Sequence, residues 1–269
     1  MNKKTLRLAL IGKDVSKSDS EGIHRFILER KGVALSYERI SVKAEEFDFT
    51  VRRLLGDFDG FNVTIPYKRD ILEYLDGVEG DALSFGAVNT VVCSTKLGYN
   101  TDGAGFLEML RFENIDPAGT KCLIVGAGGA GRSTAVALKN AGAKVYLYRR
   151  NRKELEETCQ ELAVTPADTL YGYDLVVNAS GVGMHNTEGV SPVEKEIFEG
   201  VETAIDLIYR PRETEFMRQA SAYGAKTVNG QAMPFFQAYF SDCYYLGAAP
   251  MAKEMDALYT EYLKTYKIS

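Results

Sequence analysis

The feature that most constrains this 269-residue chain is a G-x-G-x-x-G turn, Gly126-Ala127-Gly128-Gly129-Ala130-Gly131, lying near the middle of the sequence and not at its start. It follows Lys121-Cys122-Leu123-Ile124-Val125, which reads as a short buried strand. It leads into Ser133 to Asn140, which reads as a helix ending at Gly142. In that setting Gly126 permits a tight turn, Gly128 lets a pyrophosphate approach the backbone and Gly131 lets strand and helix pack closely, with phosphates at the helix N-terminus. Without a cofactor, the same loop would only join strand to helix. About 120 residues precede the motif, enough for a separate domain with its own task.

The strand Lys144 to Tyr148 ends where an NAD enzyme would place an acidic residue on the ribose hydroxyls. Here stand Arg149, Arg150, Asn151 and Arg152. A carboxylate would repel a 2′-phosphate, whereas a guanidinium offers it several donors in one plane. Alone, this stretch fits equally well a solvated basic start to the helix Lys153 to Leu162. With the glycine turn upstream it points to NADP.

Composition excludes several classes. With 45% hydrophobic and 26% charged residues the chain can bury one large or two moderate cores, and no run approaches the roughly 20 apolar residues that span a membrane. Leu6 to Gly12 is too short and too charged for a signal peptide and reads as a first strand. Cys93, Cys122, Cys159 and Cys243 have neither zinc-site spacing nor a dense disulfide pattern, which suits a reducing cytoplasm. The two histidines, His24 and His185, lie far apart, so neither a histidine metal site nor a Ser-His-Asp triad is expected. A net charge of −5 argues against nucleic acid as a partner.

Strand-like runs at Leu6–Ile11, Leu35–Ile40, Gly60–Val63 and Ala87–Cys93 alternate with helical patterns at Glu21–Lys31, Glu45–Leu55 and Arg69–Leu75. The alternation restarts at Lys121 and runs through strands at Lys144, Asp174 and Thr203 to a helix at Glu213–Ala222, and Gln231–Leu246 and Pro250–Tyr266 read as closing helices. The expectation is an α/β chain with two α/β domains separated by a cleft. One is a mostly parallel substrate domain, residues 1–101, completed by C-terminal helices over 233–269. The other is a Rossmann domain over 102–232.

Several spaced segments resemble the shikimate 5-dehydrogenase family over nearly the whole chain. Phe61-Asn62-Val63-Thr64-Ile65-Pro66-Tyr67-Lys68 is similar to the family's N-V-T-x-P-x-K segment. Gly86 to Thr90 and Gly98 to Gly103 resemble two further segments, and Asn178-Ala179-Ser180-Gly181-Val182-Gly183-Met184 resembles the loop beside the nicotinamide. Asp206 to Pro211 is similar to D-x-x-Y-x-P. Gly230 to Gln237 is similar to G-x-x-M-L-x-x-Q, with Pro234 in place of leucine. Where the family reads G-x-P-x-x-H-S-x-S-P-x-x-H, this chain keeps Ser18, Ser20 and His24 but has Lys17 for the first histidine and Asp14 and Glu21 for the prolines.

The resemblance implies NADP-dependent interconversion of 3-dehydroshikimate and shikimate, a step toward the aromatic amino acids, by a monomer or homodimer. A quinate or aminoshikimate dehydrogenase, or a nucleotide-sensing homologue without turnover, are its alternatives. It implies Lys68 and Asp102 as the catalytic pair. Substrate contacts would come from Ser18, Ser20, Asn62, Thr64, Asn89, Tyr209 and Gln237. Cofactor contacts would come from Gly126, Ala127, Gly128, Gly129, Ala130, Arg149, Arg150, Asn151, Ala179, Ser180, Met184 and Gly230. The chemistry accords: transferring a hydride to or from an alcohol carbon requires an acid or base on the oxygen, and with no suitable histidine a lysine is a credible one. Read alone, Lys68 is a solvated helix lysine, Asp102 an N-cap, and Ser18 and Ser20 caps of the first helix.

Overall fold

The computed structural model describes residues 5–267. They divide into two compact units, one ending at Gly105 and resuming at Pro234, the other Phe106–Met233.

The first unit contains strands β1 (Thr5–Gly12), β2 (Ala34–Ser41), β3 (Gly60–Val63), β4 (Gly77–Val78), β5 (Thr90–Val92) and β6 (Leu97–Tyr99). Its helices are α1 (Ser20–Arg30), α2 (Phe47–Asp57) and α3 (Asp81–Phe85), and α4 (Asp102–Phe112) begins in it. The strands form one sheet in the order β2-β1-β3-β5-β6-β4. β1 pairs parallel with β2 and β3, and β4 with β6, whereas β5 runs antiparallel to both its neighbours. β1 is an interior strand, and Leu6, Leu8, Ala9, Leu10 and Ile11 are all buried, the near-continuous apolar run of a strand covered on both faces. α2 buries Phe47, Val51 and Leu54, spaced for one helical face.

The second unit carries β7 (Lys121–Val125), α5 (Gly129–Asn140), β8 (Lys144–Tyr148), α6 (Arg152–Leu162), β9 (Thr165–Pro166), β10 (Leu175–Asn178), β11 (Thr203–Asp206), α7 (Glu215–Ala222) and β12 (Lys226–Asn229). Every pairing is parallel and the order is β12-β11-β10-β7-β8-β9. Numbered from β7, that order is the 3-2-1-4-5-6 of a dinucleotide-binding fold, with the strand order reversing at β7, the strand that feeds the glycine turn. The chain returns to the first unit along α8 (Ala232–Leu246) and finishes in α9 (Ala252–Thr265). There Phe26 of α1 and Phe235 and Phe236 of α8 meet Tyr259 and Tyr262 of α9, with ring centroids 5.0–5.1 Å apart.

Three expectations need correction. The segment Arg69–Leu75 is a 3₁₀ turn at Asp70–Tyr74, so Lys68 lies in the preceding turn and not at the start of an α-helix. The strand expected over Ala87–Cys93 is only Thr90–Val92, because Ala87, Val88 and Asn89 form the bend that brings Val88 N to the Lys68 carbonyl at 2.7 Å. The short strands β4, β6, β9 and β12 were not foreseen, being too brief or too polar to give an alternating pattern.

All four cysteines are free and buried, Cys93 and Cys243 in the first unit and Cys122 and Cys159 in the second. Burial pushes the Cys93 thiol up to about 12 and those of Cys122 and Cys243 up to about 11.

Candidate active site

In the first unit, one polar network gathers most of the residues named from sequence. Lys68 Nζ donates to Asp102 Oδ2 at 2.5 Å, and the two side chains keep 21% and 14% exposure, so they are sheltered yet reachable. Asn89 Nδ2 donates to the other carboxylate oxygen, Asp102 Oδ1, at 2.8 Å, and Asn100 Oδ1 accepts from the Asp102 backbone N–H at 3.0 Å. Asp102 is therefore not the N-cap but the first residue of α4, held at backbone and side chain. Asn89 is itself gripped, its Oδ1 accepting from the Thr101 N–H and from the Thr90 hydroxyl.

The network continues into α8. Ser241 Oγ lies 2.8 Å from Thr90 Oγ1 and 3.2 Å from Thr101 Oγ1, and it accepts from Asn62 Nδ2 at 3.3 Å. Thr101 Oγ1 also reaches Gln237 Oε1 at 3.2 Å. A Cβ on Gly105 would come within 2.8 Å of Gln237 N, so the close approach of α4 to α8 requires glycine there. Asn62 donates into this network while its Oδ1 is buried without a hydrogen-bond partner among the described residues. An ammonium fixed against a carboxylate and flanked by amide and hydroxyl side chains can exchange a proton with a bound oxygen and discriminate among a polyol's hydroxyls.

Ser18 and Ser20 lie together at the start of α1. Ser18 Oγ accepts from the Ser20 N–H at 3.2 Å, and Ser20 Oγ meets the Tyr37 hydroxyl at 2.9 Å. Neither occupies the N-cap position of α1, which is Asp19 and makes no side-chain capping bond. Lys17 next to them is exposed, and Thr64, just past β3, is partly buried.

In the second unit the glycine turn has the geometry its spacing implied. Gly126 adopts φ +109°, and a Cβ there would meet the Ala179 backbone at 2.7 Å. A Cβ on Gly131 would overlap the Gly126 carbonyl oxygen, while nothing lies within 4 Å of one on Gly128 or Gly129. That combination is a tight inner turn beneath an open cradle. α5 begins at Gly129, so its first-turn N–H groups lack intrahelical acceptors and face the side where Gly128, Gly129 and Ala130 are exposed. The residues fit a dinucleotide pyrophosphate. At the end of β8, Arg149 is paired with Glu154, Asn151 caps α6 by accepting from Glu154 N at 3.3 Å, and Arg150 is exposed.

The loop after β10 is organised by a buried acid, the first residue of the D-x-x-Y-x-P segment, to which sequence reasoning assigned no role of its own. Asp206 accepts from Asn178 Nδ2 at 3.0 Å, from Thr214 Oγ1 at 2.6 Å and from Ile208 N at 3.0 Å. Burial raises its carboxyl above the usual range, and these bonds oppose the shift. Asn178 in turn donates to Val182 O and accepts from Ser180 Oγ at 2.7 Å, which fixes Ala179 to Val182. Met184 is 37% exposed, and a Cβ on Gly230 would come within 2.6 Å of Leu207 O.

Lys68, Asp102, Asn62, Asn89 and Gln237 thus meet in one network, with Ser18 and Ser20 together elsewhere in the same unit. The cofactor candidates lie in the second unit, around the ends of β7, β8 and β10 with Gly230 just past β12, and the same unit carries Tyr209, an exposed residue that lies 5.9 Å from the Arg210 guanidinium. Ser241 and Tyr37 were missed. Ser241 had one usable signal, its place one helical turn after Gln237, and Tyr37 none.

Comparison with known proteins matches residues 10–91 to a model described as the shikimate dehydrogenase substrate binding domain and residues 114–196 to one described as putative NAD(P)-binding. The shikimate dehydrogenase (NADP(+)) of Clostridium botulinum is 36% identical over 239 residues, covering 86% of this chain and 92% of that protein. The crystal structure of Thermus thermophilus shikimate 5-dehydrogenase in complex with NADP(H) and shikimate aligns with a TM-score of 0.86 at 35% identity, over 94% of this chain and 98% of that one. A chorismate mutase/shikimate 5-dehydrogenase fusion protein from Clostridium acetobutylicum aligns with a TM-score of 0.90 at 33% identity, over 99% and 100% of the two chains. With relatives this similar over this much of its length, the chain belongs to the shikimate dehydrogenase family.

Proposed function

We propose that this chain reduces 3-dehydroshikimate to shikimate with NADPH, and the reverse, as a cytoplasmic enzyme acting as a monomer or homodimer. The observation that carries the reading is the Lys68–Asp102 pair, set in a network whose remaining members suit a small polyhydroxylated acid. The NADP dependence and substrate of the curated relatives support it, and four free buried thiols accord with the cytoplasm.

Lys68 gives its proton to the carbonyl oxygen as that carbon is reduced, and takes the hydroxyl proton in the reverse direction. Asp102 holds the ammonium on the reacting oxygen and balances its charge. Asn62 Oδ1, the buried acceptor with no partner among the described residues, receives a substrate hydroxyl, and Asn89, Thr64 and Gln237 bind its neighbours. Ser18 and Ser20 hold the carboxylate, and Tyr209 is a further substrate residue. Bound NADPH supplies the hydride. Gly126 to Ala130, at the first turn of α5, would hold its pyrophosphate, Arg149 and Arg150 with Asn151 would meet its 2′-phosphate, and Ala179, Ser180, Met184 and Gly230 would lie by its nicotinamide.

The test is one absorbance assay of nicotinamide reduction, with shikimate and quinate each offered NADP and NAD. Turnover of shikimate with NADP above every other pairing is expected. Faster turnover of quinate, or none with either acid, sinks the assignment.

A further inference from the structure

Between α1 and α8 lies an ionisable pair to which the reaction assigns no role. His24 Nδ1 and Asp242 Oδ1 are 2.6 Å apart and both side chains are fully buried. The pair is poorly satisfied: His24 Nε2, Asp242 Oδ2 and the neighbouring Tyr245 hydroxyl are all buried without partners among the described residues. Burial raises the Asp242 carboxyl, and the imidazole opposes that shift. Such a pair is a poor device for stability, since apolar side chains of like volume do as well or better, whereas removing one member alone strands the other. Its value lies in fixing one arrangement of the two helices.

That arrangement involves the substrate site on both sides. His24 stands one helical turn after Ser20, and its ring stacks on Tyr37 at 5.7 Å between centroids, the tyrosine whose hydroxyl meets Ser20 Oγ at 2.9 Å. Asp242 directly follows Ser241, the serine that joins Asn62, Thr90 and Thr101, and lies five residues beyond Gln237. The buried bond therefore ties the helix that opens with the paired hydroxyls to the helix that carries the amide and hydroxyl network. We propose that His24 and Asp242 are positioning residues, setting the Ser20 and Tyr37 hydroxyls at a fixed distance from the Gln237–Ser241 side of the site so that carboxylate and ring hydroxyls are bound together. Tyr37 then serves as a third hydroxyl at the carboxylate end. This rests on the reading of Ser18 and Ser20 as the carboxylate site.

The test separates position from stability. The double variant His24→Phe/Asp242→Leu removes the bond without stranding a partner, and it is expected to keep or raise Tm while raising KM for shikimate about tenfold, with kcat and KM for NADP within twofold. Asp242→Asn keeps an acceptor for Nδ1–H and is expected to hold KM for shikimate within threefold of the starting protein. A double variant with unchanged KM, or an Asp242→Asn as impaired as the double, overturns the proposal. Should the double variant not fold, Tyr37→Phe keeps the ring on His24 and deletes only the hydroxyl. A fivefold or larger rise in KM is then expected, and an unchanged KM overturns the proposal. Ser20→Ala is run alongside. If it leaves KM unchanged, the carboxylate site itself is wrong and this inference falls with it. If it raises KM while the pair variants do not, only the positioning role is lost.

Discussion

Asp102 receives Lys68 on one carboxylate oxygen at 2.5 Å and Asn89 on the other at 2.8 Å, so the carboxylate is held from two sides and the ammonium has one place to sit. Lys68→Ala is expected to cut kcat by roughly 10²–10⁴ with little change in cofactor affinity. Asp102→Asn is expected to lower kcat as well, and the double variant to lose less than the product of the single losses, because the two act as one unit. Steady-state kinetics on the three proteins checks this, and near-normal turnover of Lys68→Ala at every pH would falsify the mechanism.

Cofactor choice is expected to turn on Arg150. Arg149 is engaged by Glu154 and Asn151 by the start of α6, whereas Arg150 is exposed at the end of β8. Arg150→Asp replaces a phosphate partner with a like charge, and one charge-assisted contact is worth about 1.5–3 kcal/mol, roughly ten- to a hundredfold in affinity. Binding titrations are expected to show NADP weakened by that factor and NAD spared. Equal losses for both would remove the arginine from phosphate recognition.

Ser18→Ala is expected to raise KM for shikimate and leave the cofactor constants alone, since the hydroxyl accepts from the Ser20 N–H and lies in the unit that carries Lys68 and Asp102. Lys17 offers a comparison. If Lys17→Ala raises KM more than either serine change, the carboxylate is met chiefly by charge and not by the paired hydroxyls.

Acid stability is expected to depend in part on Glu254. Burial raises its carboxyl, but the bonds from Lys31, 2.5 Å away, and from Tyr239 outweigh that, so the net shift is downward. A depressed folded value stabilises fully above the unfolded value, about 4.3, and that stabilisation is lost as pH falls through the folded value. Glu254→Gln is expected to lower Tm at neutral pH by an amount worth about 1 kcal/mol or less and to narrow its gap from the starting protein below pH 4.3, roughly. A gap that widens on acidification contradicts the sign.

The second unit was legible because its signal is local. A strand, the glycine turn and a helix fall within twenty or so residues, and Gly126 and Gly131 answer steric demands visible at that spot, against the Ala179 and Gly126 backbones, while Gly128 leaves the cradle open. The first unit's network was legible only by resemblance. Lys68 and Asp102 are 34 residues apart, and Thr90 and Ser241 151 apart, so no periodicity links them. The resemblance named Asn62, Asn89 and Gln237 but not Ser241 or Asp242, whose partners are fixed by the packing of α8. The 3₁₀ turn after Lys68 was misread because Ile71, Leu72 and Leu75 mimic a helical face over too few residues to distinguish the two geometries.

The four buried cysteines turn the protein into its own clock. With thiols held out of water and mostly neutral, a thiol reagent waits for the chain to open, and its rate of reaction measures how often that happens. Cys93 and Cys243 time one unit and Cys122 and Cys159 the other, so mass spectrometry of the labelled peptides would show whether the two units open in step or each at its own pace.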